Sequence, residues 1–268
     1  MFLLFDIGGT TTRFAISYMG DKIDDVKLFP TNHDFSIAIN EMKTVANELS
    51  KGERYHAVVG GMRAYDKKSG TLFHQPNFPM WVDAPVQQWM RETWGDVYLE
   101  NDAALDGLGE AVYGAGKNYS IVGYITLSTG IGGARIVDCK LEKTEYSFEP
   151  GNMYIPSGES EVVVFEQLVS GSAIEKKYGK NPFELENPDA WHEITEKTAI
   201  GIANVIVMWS PDIVVVGGSV PQRMDFNELT INVKKYCSIY PVLPEIKKET
   251  LGEQAGLYGA LAYLKNLP

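Results

Sequence analysis

The sequence predicts an α/β protein of two lobes, and three observations predict it. A glycine-rich turn between apolar strands occurs twice, as Asp6-Ile-Gly-Gly-Thr-Thr-Thr-Arg13 and as Leu127-Ser-Thr-Gly-Ile-Gly-Gly-Ala134. Helical and strand patterns follow the first copy, and the second half of the chain repeats the same logic. The 268 residues exceed the usual size of one domain and suit two lobes of roughly 100 to 150 residues each.

Taken in order, residues 2–5 and 14–17 read as a hairpin, and 27–29 as a further strand. Phe35, Ala38, Ile39, Met42, Val45, Ala46 and Leu49 fall on a 3.6-residue stripe, which predicts an amphipathic helix. A strand at 56–59 ends in Gly60-Gly61; a loop rich in proline, asparagine and glycine covers 69–80; a short helix follows at 85–93 and a strand at 97–100. Residues 102–113 read as a helix with inward alanines and leucines, and 114–118 as a turn leading to the second hairpin, 121–125 and 135–137. Helices are expected at 162–178 and 191–209, and 212–216 is a wholly apolar strand of the buried parallel type. The lobes are placed at 1–113 and 114–268. Small residues at 255, 256, 259 and 260 suit close packing of the last helix, about 253–266, which is a candidate to return to the first lobe.

In both hairpins glycines accept positive φ and let the backbone come close to a ligand, so that successive N–H groups can point into a concavity favouring anions, with threonine hydroxyls adding donors. A nucleotide held between two halves follows. Neither a Rossmann nor a P-loop reading fits, because β-prone Thr10, Thr11, Thr12, Phe14 and Ile16 follow Gly9 instead of a helix, and no Gly-Lys-Ser/Thr triplet occurs. Ordinary hairpins are the plain alternative. A carboxylate beside a phosphate nest would repel the nucleotide unless a cation stood between them, so Asp6 is read as a Mg²⁺ position acting through water.

Composition narrows the partners. With 24 basic and 35 acidic residues the net charge is -11, which disfavours nucleic acid, since binding a phosphate backbone needs a basic face. Residues 1–5 are too short for a signal h-region and no 18-residue apolar stretch exists, so a cytoplasmic protein with no membrane span is expected. Cys139 and Cys237 stand far apart, and His33, His56, His74 and His192 share no metal-ligand spacing.

Asn101-Asp102 lies at a strand end and a helix start, where ligand-binding residues of open α/β sheets gather. Asp102 is either a bare N-cap or a general base accepting the proton of an attacking hydroxyl in phosphoryl transfer.

Asp6-Ile-Gly-Gly-Thr10, Pro76-Asn77, Glu100-Asn-Asp-Ala103, Thr129-Gly-Ile-Gly-Gly133, Ser170-Gly-Ser-Ala-Ile174 and Val215-Val-Gly-Gly-Ser219 together resemble the ROK sugar kinases, in order and over nearly the whole chain. The resemblance implies the actin-like ATPase fold, with two ribonuclease-H-like lobes around a nucleotide and sugar cleft, and ATP-dependent phosphorylation of a hexose or N-acylhexosamine. It makes Asp102 the catalytic base. It gives the triphosphate to Asp6, Gly8, Gly9, Thr10 and Thr11 in one hairpin and to Thr129, Gly130, Gly132 and Gly133 in the other, and sets Gly217-Gly218 beside the adenosine. Sugar contacts fall on Asn77, Asn101, Asp102, Glu149 and Glu166, with Gly61 and Asn152 at the same edge; amides and carboxylates suit vicinal hydroxyls. Homodimers recur in this family, and the residues here argue neither for nor against one.

Departures from the pattern carry their own expectations. Asn152 replaces the family's histidine and no cysteine occurs in 157–164, so no zinc is expected. Tyr154, Ile155 and residues 162–165 are expected to hold that loop by packing instead. Ser128 replaces a glycine, and Gly60-Gly61-Met62-Arg63 replaces a Pro-Gly motif and leaves a cation nearby, which raises an acidic sugar derivative as an option. The alternative function is a sugar sensor of the ROK type without a DNA-binding domain. Polyphosphate as donor would call for a basic groove, which the charge balance opposes.

Overall fold

The computed structural model describes residues 1–63, 66, 68–72, 79–158 and 161–267. The chain divides into two compact units, residues 1–109 with 253–268, and residues 110–252.

In the first unit β1 (Phe2–Ile7), β2 (Thr11–Ser17) and β3 (Asp25–Pro30) form an antiparallel meander. The helix α1 (Phe35–Ser50) then carries the chain to β4 (Ala57–Met62), which runs parallel to β1, and α2 (Val86–Trp94) carries it to β5 (Val97–Glu100), parallel to β4. The sheet order is β3-β2-β1-β4-β5. Leu3, Phe5, Phe14, Val58 and Met62 bury one face of this sheet under α1 and α2. The periodic stripe of α1 meets that core: Ala38, Met42, Ala46 and Leu49 are buried, while Phe35, Ile39 and Val45 are partly so. Burial of each larger side chain contributes about 1.5–3 kcal/mol. Asp34 caps the helix by accepting from the Ile37 N–H at 3.1 Å.

Next come α3 (Asp102–Tyr113) and the second unit's meander, β6 (Ile121–Leu127), β7 (Ile131–Val137) and β8 (Lys140–Leu141). A small antiparallel pair, β9 (Tyr154–Pro156) and β10 (Val162–Val164), precedes α4 (Glu166–Val169), α5 (Gly171–Tyr178) and α6 (Pro188–Trp209). Then β11 (Ile213–Gly217) pairs parallel with β6, α7 (Phe226–Tyr236) follows, and β12 (Glu245–Lys248) closes the sheet order β12-β11-β6-β7-β8. Read outward from β6, this is the first sheet's arrangement again. The C-terminal α8 (Ala255–Leu264) belongs to the first unit, where Gly109 and Gly259 leave no room for a Cβ between α3 and α8.

Two sequence expectations are corrected here, and two elements were not anticipated. Residues 162–178 are not one helix: three consecutive valines pair with β9, and Ser170, extended at ψ 159°, ends α4 and caps α5. Ile155 and Phe165 are fully buried and Phe165 fills the space above Gly201, whereas Tyr154 and Val162, 70% and 64% exposed, contribute their backbones to the β9–β10 ladder and little packing. The edge strand β12 and helix α7 had no matching expectation, since Glu245-Ile-Lys-Lys248 shows too little apolar alternation to announce a strand.

Candidate active site

In the first unit, the turn after β1 is closed by the Gly8 N–H donating to the Thr11 carbonyl at 3.1 Å. Thr31, at the end of β3, braces it: its hydroxyl donates to the Gly8 carbonyl (2.7 Å), its N–H donates to the Thr10 carbonyl (2.9 Å), and it pairs with the Thr12 hydroxyl (2.9 Å). With those bonds made, the N–H groups of Gly9 and Thr10 donate to no acceptor among the described residues.

The second unit repeats the arrangement by other means. Ser128 N–H donates to the Gly130 carbonyl (2.8 Å), while Gly171 N–H and Ser172 N–H, opening α5, donate to the carbonyls of Ser128 (2.6 Å) and Thr129 (3.4 Å). The Ile131 N–H donates to Glu166 Oε2 at 2.6 Å. Again two turn N–H groups, those of Thr129 and Gly130, have no acceptor among the described residues. Both turns therefore offer adjacent donors, and Thr10 and Thr129 are exposed.

Positive φ is not what these turns take from their glycines. Gly8, Gly9, Gly130, Gly132 and Gly133 do not take positive φ; of the glycines singled out, only Gly218 does, at 96°. Close approach explains two of them instead. A Cβ at Gly8 would lie 3.1 Å from the Thr11 carbonyl oxygen, and one at Gly133 would lie 2.6 Å from the Tyr124 carbonyl oxygen and 2.8 Å from the Pro150 ring.

Asp6 sits opposite Arg13 on β2 and Gly61 on β4. An Arg13 Nη1 donates to Asp6 Oδ2 at 3.3 Å. A Cβ on Gly61 would come within 3.0 Å of the Asp102 Cα, so the glycine lets the start of α3 settle beside the end of β1. Asp102 is not the N-cap of that helix. Asn101, 6% exposed, takes that part, accepting from the Ala104 N–H at 3.1 Å while its carbonyl accepts from the Leu105 N–H. The Asp102 carboxylate instead accepts from its neighbour's N–H, Ala103, at 2.8 Å. Burial pushes the Asp6 carboxyl up to about 6, the charge of Asp102 adds to the rise, and Arg13 opposes it. Burial raises Asp102 as well, against the Ala103 N–H and the positive charge of Arg63. Arg63, partly buried, thus acts on Asp102 and is more than a solvated surface cation.

Around the second turn, Pro150–Asn152 forms a short 3-10 turn, and a Cβ on Gly151 would stand 2.5 Å from the Ile131 carbonyl oxygen. The hairpin, Glu166 and the 149–152 turn are thereby brought together, with Glu149 and Asn152 exposed at the surface. Gly217 and Gly218 are walled by Glu249, whose carboxylate accepts from the Gly218 N–H (2.9 Å) and the Tyr124 hydroxyl (3.2 Å). Burial raises the Glu249 carboxyl. Sequence reasoning missed Glu249, Thr31 and Arg13, none of which belongs to a glycine motif's core. The pair Pro76-Asn77 lies outside the described residues.

Two sheets of one topology, each with a glycine turn after its first strand, define the actin-like ATPase fold. The chain belongs to the ROK family, whose sequence model matches residues 3–266. A glucokinase from Thermotoga maritima is 27% identical, covering 97% of this chain and 96% of its own length. A ROK hexokinase from Thermus thermophilus superposes with a TM-score of 0.84 at 24% identity over 98% of each chain. A ROK family glucokinase from Streptomyces griseus, solved in complex with glucose and AMPPNP, does so with a TM-score of 0.79 at 22% identity, covering 99% of this chain and 100% of that one. No helix among the described residues is long and apolar enough to cross a membrane.

Proposed function

We propose that this protein is an ATP-dependent sugar kinase acting on a hydroxyl of a hexose or N-acylhexosamine. The family and its glucokinase relatives support a carbohydrate kinase. The observation that carries the finer reading is the recurrence, in both units, of a braced turn with two adjacent open N–H donors. Open backbone donors and an exposed threonine fit phosphate oxygens, and a carboxylate at the end of β1 fits a divalent cation held through water. Mg·ATP when bound supplies the phosphoryl group and the charge that neutralises it.

In this reading the open N–H groups of Gly9 and Thr10, in the turn that Gly8 and Thr11 close, face phosphate in the first unit, and those of Thr129 and Gly130, followed by Gly132 and Gly133 at the start of β7, do so in the second, while Gly217-Gly218 line the nucleoside. Asp6 orients the cation's water shell. Asp102 accepts the proton of the sugar hydroxyl as it attacks; burial raises its carboxyl, which makes it a better proton acceptor than an ordinary aspartate. Asn101 fixes Asp102 at the first turn of α3. Sugar contacts are assigned to Gly61 and Asn101 in the first unit, to Glu149, Asn152 and Glu166 in the second, where Glu166 is also tied to the Ile131 N–H, and to Asn77, which lies outside the described residues.

The test is a coupled ADP-release assay with Mg·ATP against glucose, fructose, mannose, allose, N-acetylglucosamine and N-acetylmannosamine, repeated with polyphosphate as donor. ADP release that requires one of these sugars supports the reading. Thermal stabilisation by a sugar without ADP release in any combination replaces it with a sensor.

A further inference from the structure

Arg13 is the charged residue of the first turn's motif to which the proposed chemistry assigns no task. Its guanidinium is bracketed by two carboxylates: Nη1 donates to Asp6 Oδ2 at 3.3 Å and Nη2 donates to Glu253 Oε2 at 2.8 Å. The Arg13 side chain is 15% exposed and Asp6 is 16% exposed, whereas Glu253, in the turn leading into α8, is 80% exposed. The Arg13 Nε is buried without an acceptor among the described residues. Asp102 faces Asp6 closely enough for the two charges to interact, and Asp106 lies on the same side, since a Cβ on Gly256 would meet Asp106 Oδ1 at 3.1 Å and Asp6 Cγ at 3.2 Å.

The arrangement is acidic around Arg13: Asp6 and Glu253 bracket it and Asp102 and Asp106 lie beside Asp6, with Arg63 opposing the charge of Asp102 alone. A cation arriving at Asp6 therefore meets a resident positive charge already on its carboxylate, and the two repel at this range. Glu253 gives that resident charge somewhere to go. The longer Asp6 contact and the unmet Nε donor mark the present seat on Asp6 as the weaker half of the bracket.

We propose that Arg13 is a positioning residue that occupies Asp6 as a place-holder for a divalent cation and moves fully onto Glu253 when the cation is taken up. The inference rests on the cation reading of Asp6 given above. It makes Arg13 a competitor of the cation and Glu253 its helper, so removing them has opposite effects.

Mn²⁺ affinity, measured by paramagnetic detection of the free ion at saturating ADP, distinguishes the roles in wild type, Arg13→Met, Arg13→Lys, Glu253→Gln and Asp6→Asn. Loss of the competing charge in Arg13→Met is expected to tighten Mn²⁺ binding about fivefold, and loss of the alternative seat in Glu253→Gln to weaken it about threefold, as Coulomb interactions of partly screened charges allow. Arg13→Lys keeps the charge and stays near wild type. Asp6→Asn erases the difference. Damage to the fold would weaken binding in both variants, so the opposed signs are the signature. Arg13→Met binding Mn²⁺ no more tightly than wild type overturns the proposal, and if that variant does not fold, an unchanged affinity in Glu253→Gln does so. Sugar-dependent ADP release by the wild type reports on the kinase reading separately: an active enzyme with equal Mn²⁺ affinities throughout loses only the role given to Arg13.

Discussion

Gly61 leaves the space into which the backbone of Asp102 fits, with its would-be Cβ 3.0 Å from the Asp102 Cα and 3.3 Å from Leu105 Cδ1. Because Gly61 is also the ladder partner of Asp6, one absent side chain sets the separation of the two aspartates. Gly61→Ala should cost about 1–3 kcal/mol through overpacking of a well-filled site. Turnover should fall by more than the stability loss explains. Urea melts paired with the sugar-dependent ADP assay check this; an alanine variant with wild-type turnover would show that α3 can shift without consequence.

Asn101 and Asp102 are adjacent but separable. Asn101→Ala removes the cap of α3 and is expected to cost about 1 kcal/mol of stability. Asp102→Asn keeps the shape and the cap and removes a buried charge, so its melting point should hold or rise while kcat drops about 10²–10⁴-fold, the usual contribution of a general base. If Asp102→Asn turns over within tenfold of wild type, another group takes the proton.

Stability of the nucleotide-free protein should fall as pH rises from about 4 to about 6. Asp6 has its carboxyl raised from an ordinary 3.8 to about 6, so the folded state holds its proton where the unfolded state has lost it. A shift of about two units corresponds to about 3 kcal/mol at most, fully paid above the raised value and absent below the ordinary one. Asp102, raised in the same direction, adds to the slope. Urea denaturation at pH 4 to 7 measures it. Asp6→Asn should flatten the profile, and a profile as steep as wild type would place the titrating group elsewhere.

Glu166 and Glu149 should part company on mutation, although both stand at the proposed sugar edge. Glu166→Ala leaves the Ile131 N–H without its 2.6 Å acceptor and should destabilise by about 1–3 kcal/mol. Glu149→Gln, at an exposed position, should leave the melting point unchanged and raise the KM for sugar while sparing that for ATP. Equal KM values for sugar in Glu149→Gln and wild type would remove Glu149 from the edge.

Local chemistry alone made much of this protein legible. The period of 3.6 in residues 35–49, the alternation and glycines around residues 6–13 and 127–134, and the unbroken apolar run at 213–216 each state their secondary structure without help from elsewhere, because burial on one face must repeat at the spacing of the element. Their order along the chain was enough to mark the family and to pick out Asp6, Asn101 and Asp102. Long-range packing decided the rest. Whether Asn101 or Asp102 caps α3 depends on where Gly61 lets the helix begin, and no window of the sequence contains both β4 and α3. The 162–164 valines become a strand only because β9 is there to pair with them, and β12 exists only because β11 offers it a parallel edge. Glu249 and Glu253 have no meaning as motif letters, and Arg13, at the end of one, shows no partner there; the carboxylate pair around its guanidinium and the carboxylate over Gly217-Gly218 arise from residues up to 240 positions apart, which meet only once both chain segments have been placed by the sheets and helices they belong to.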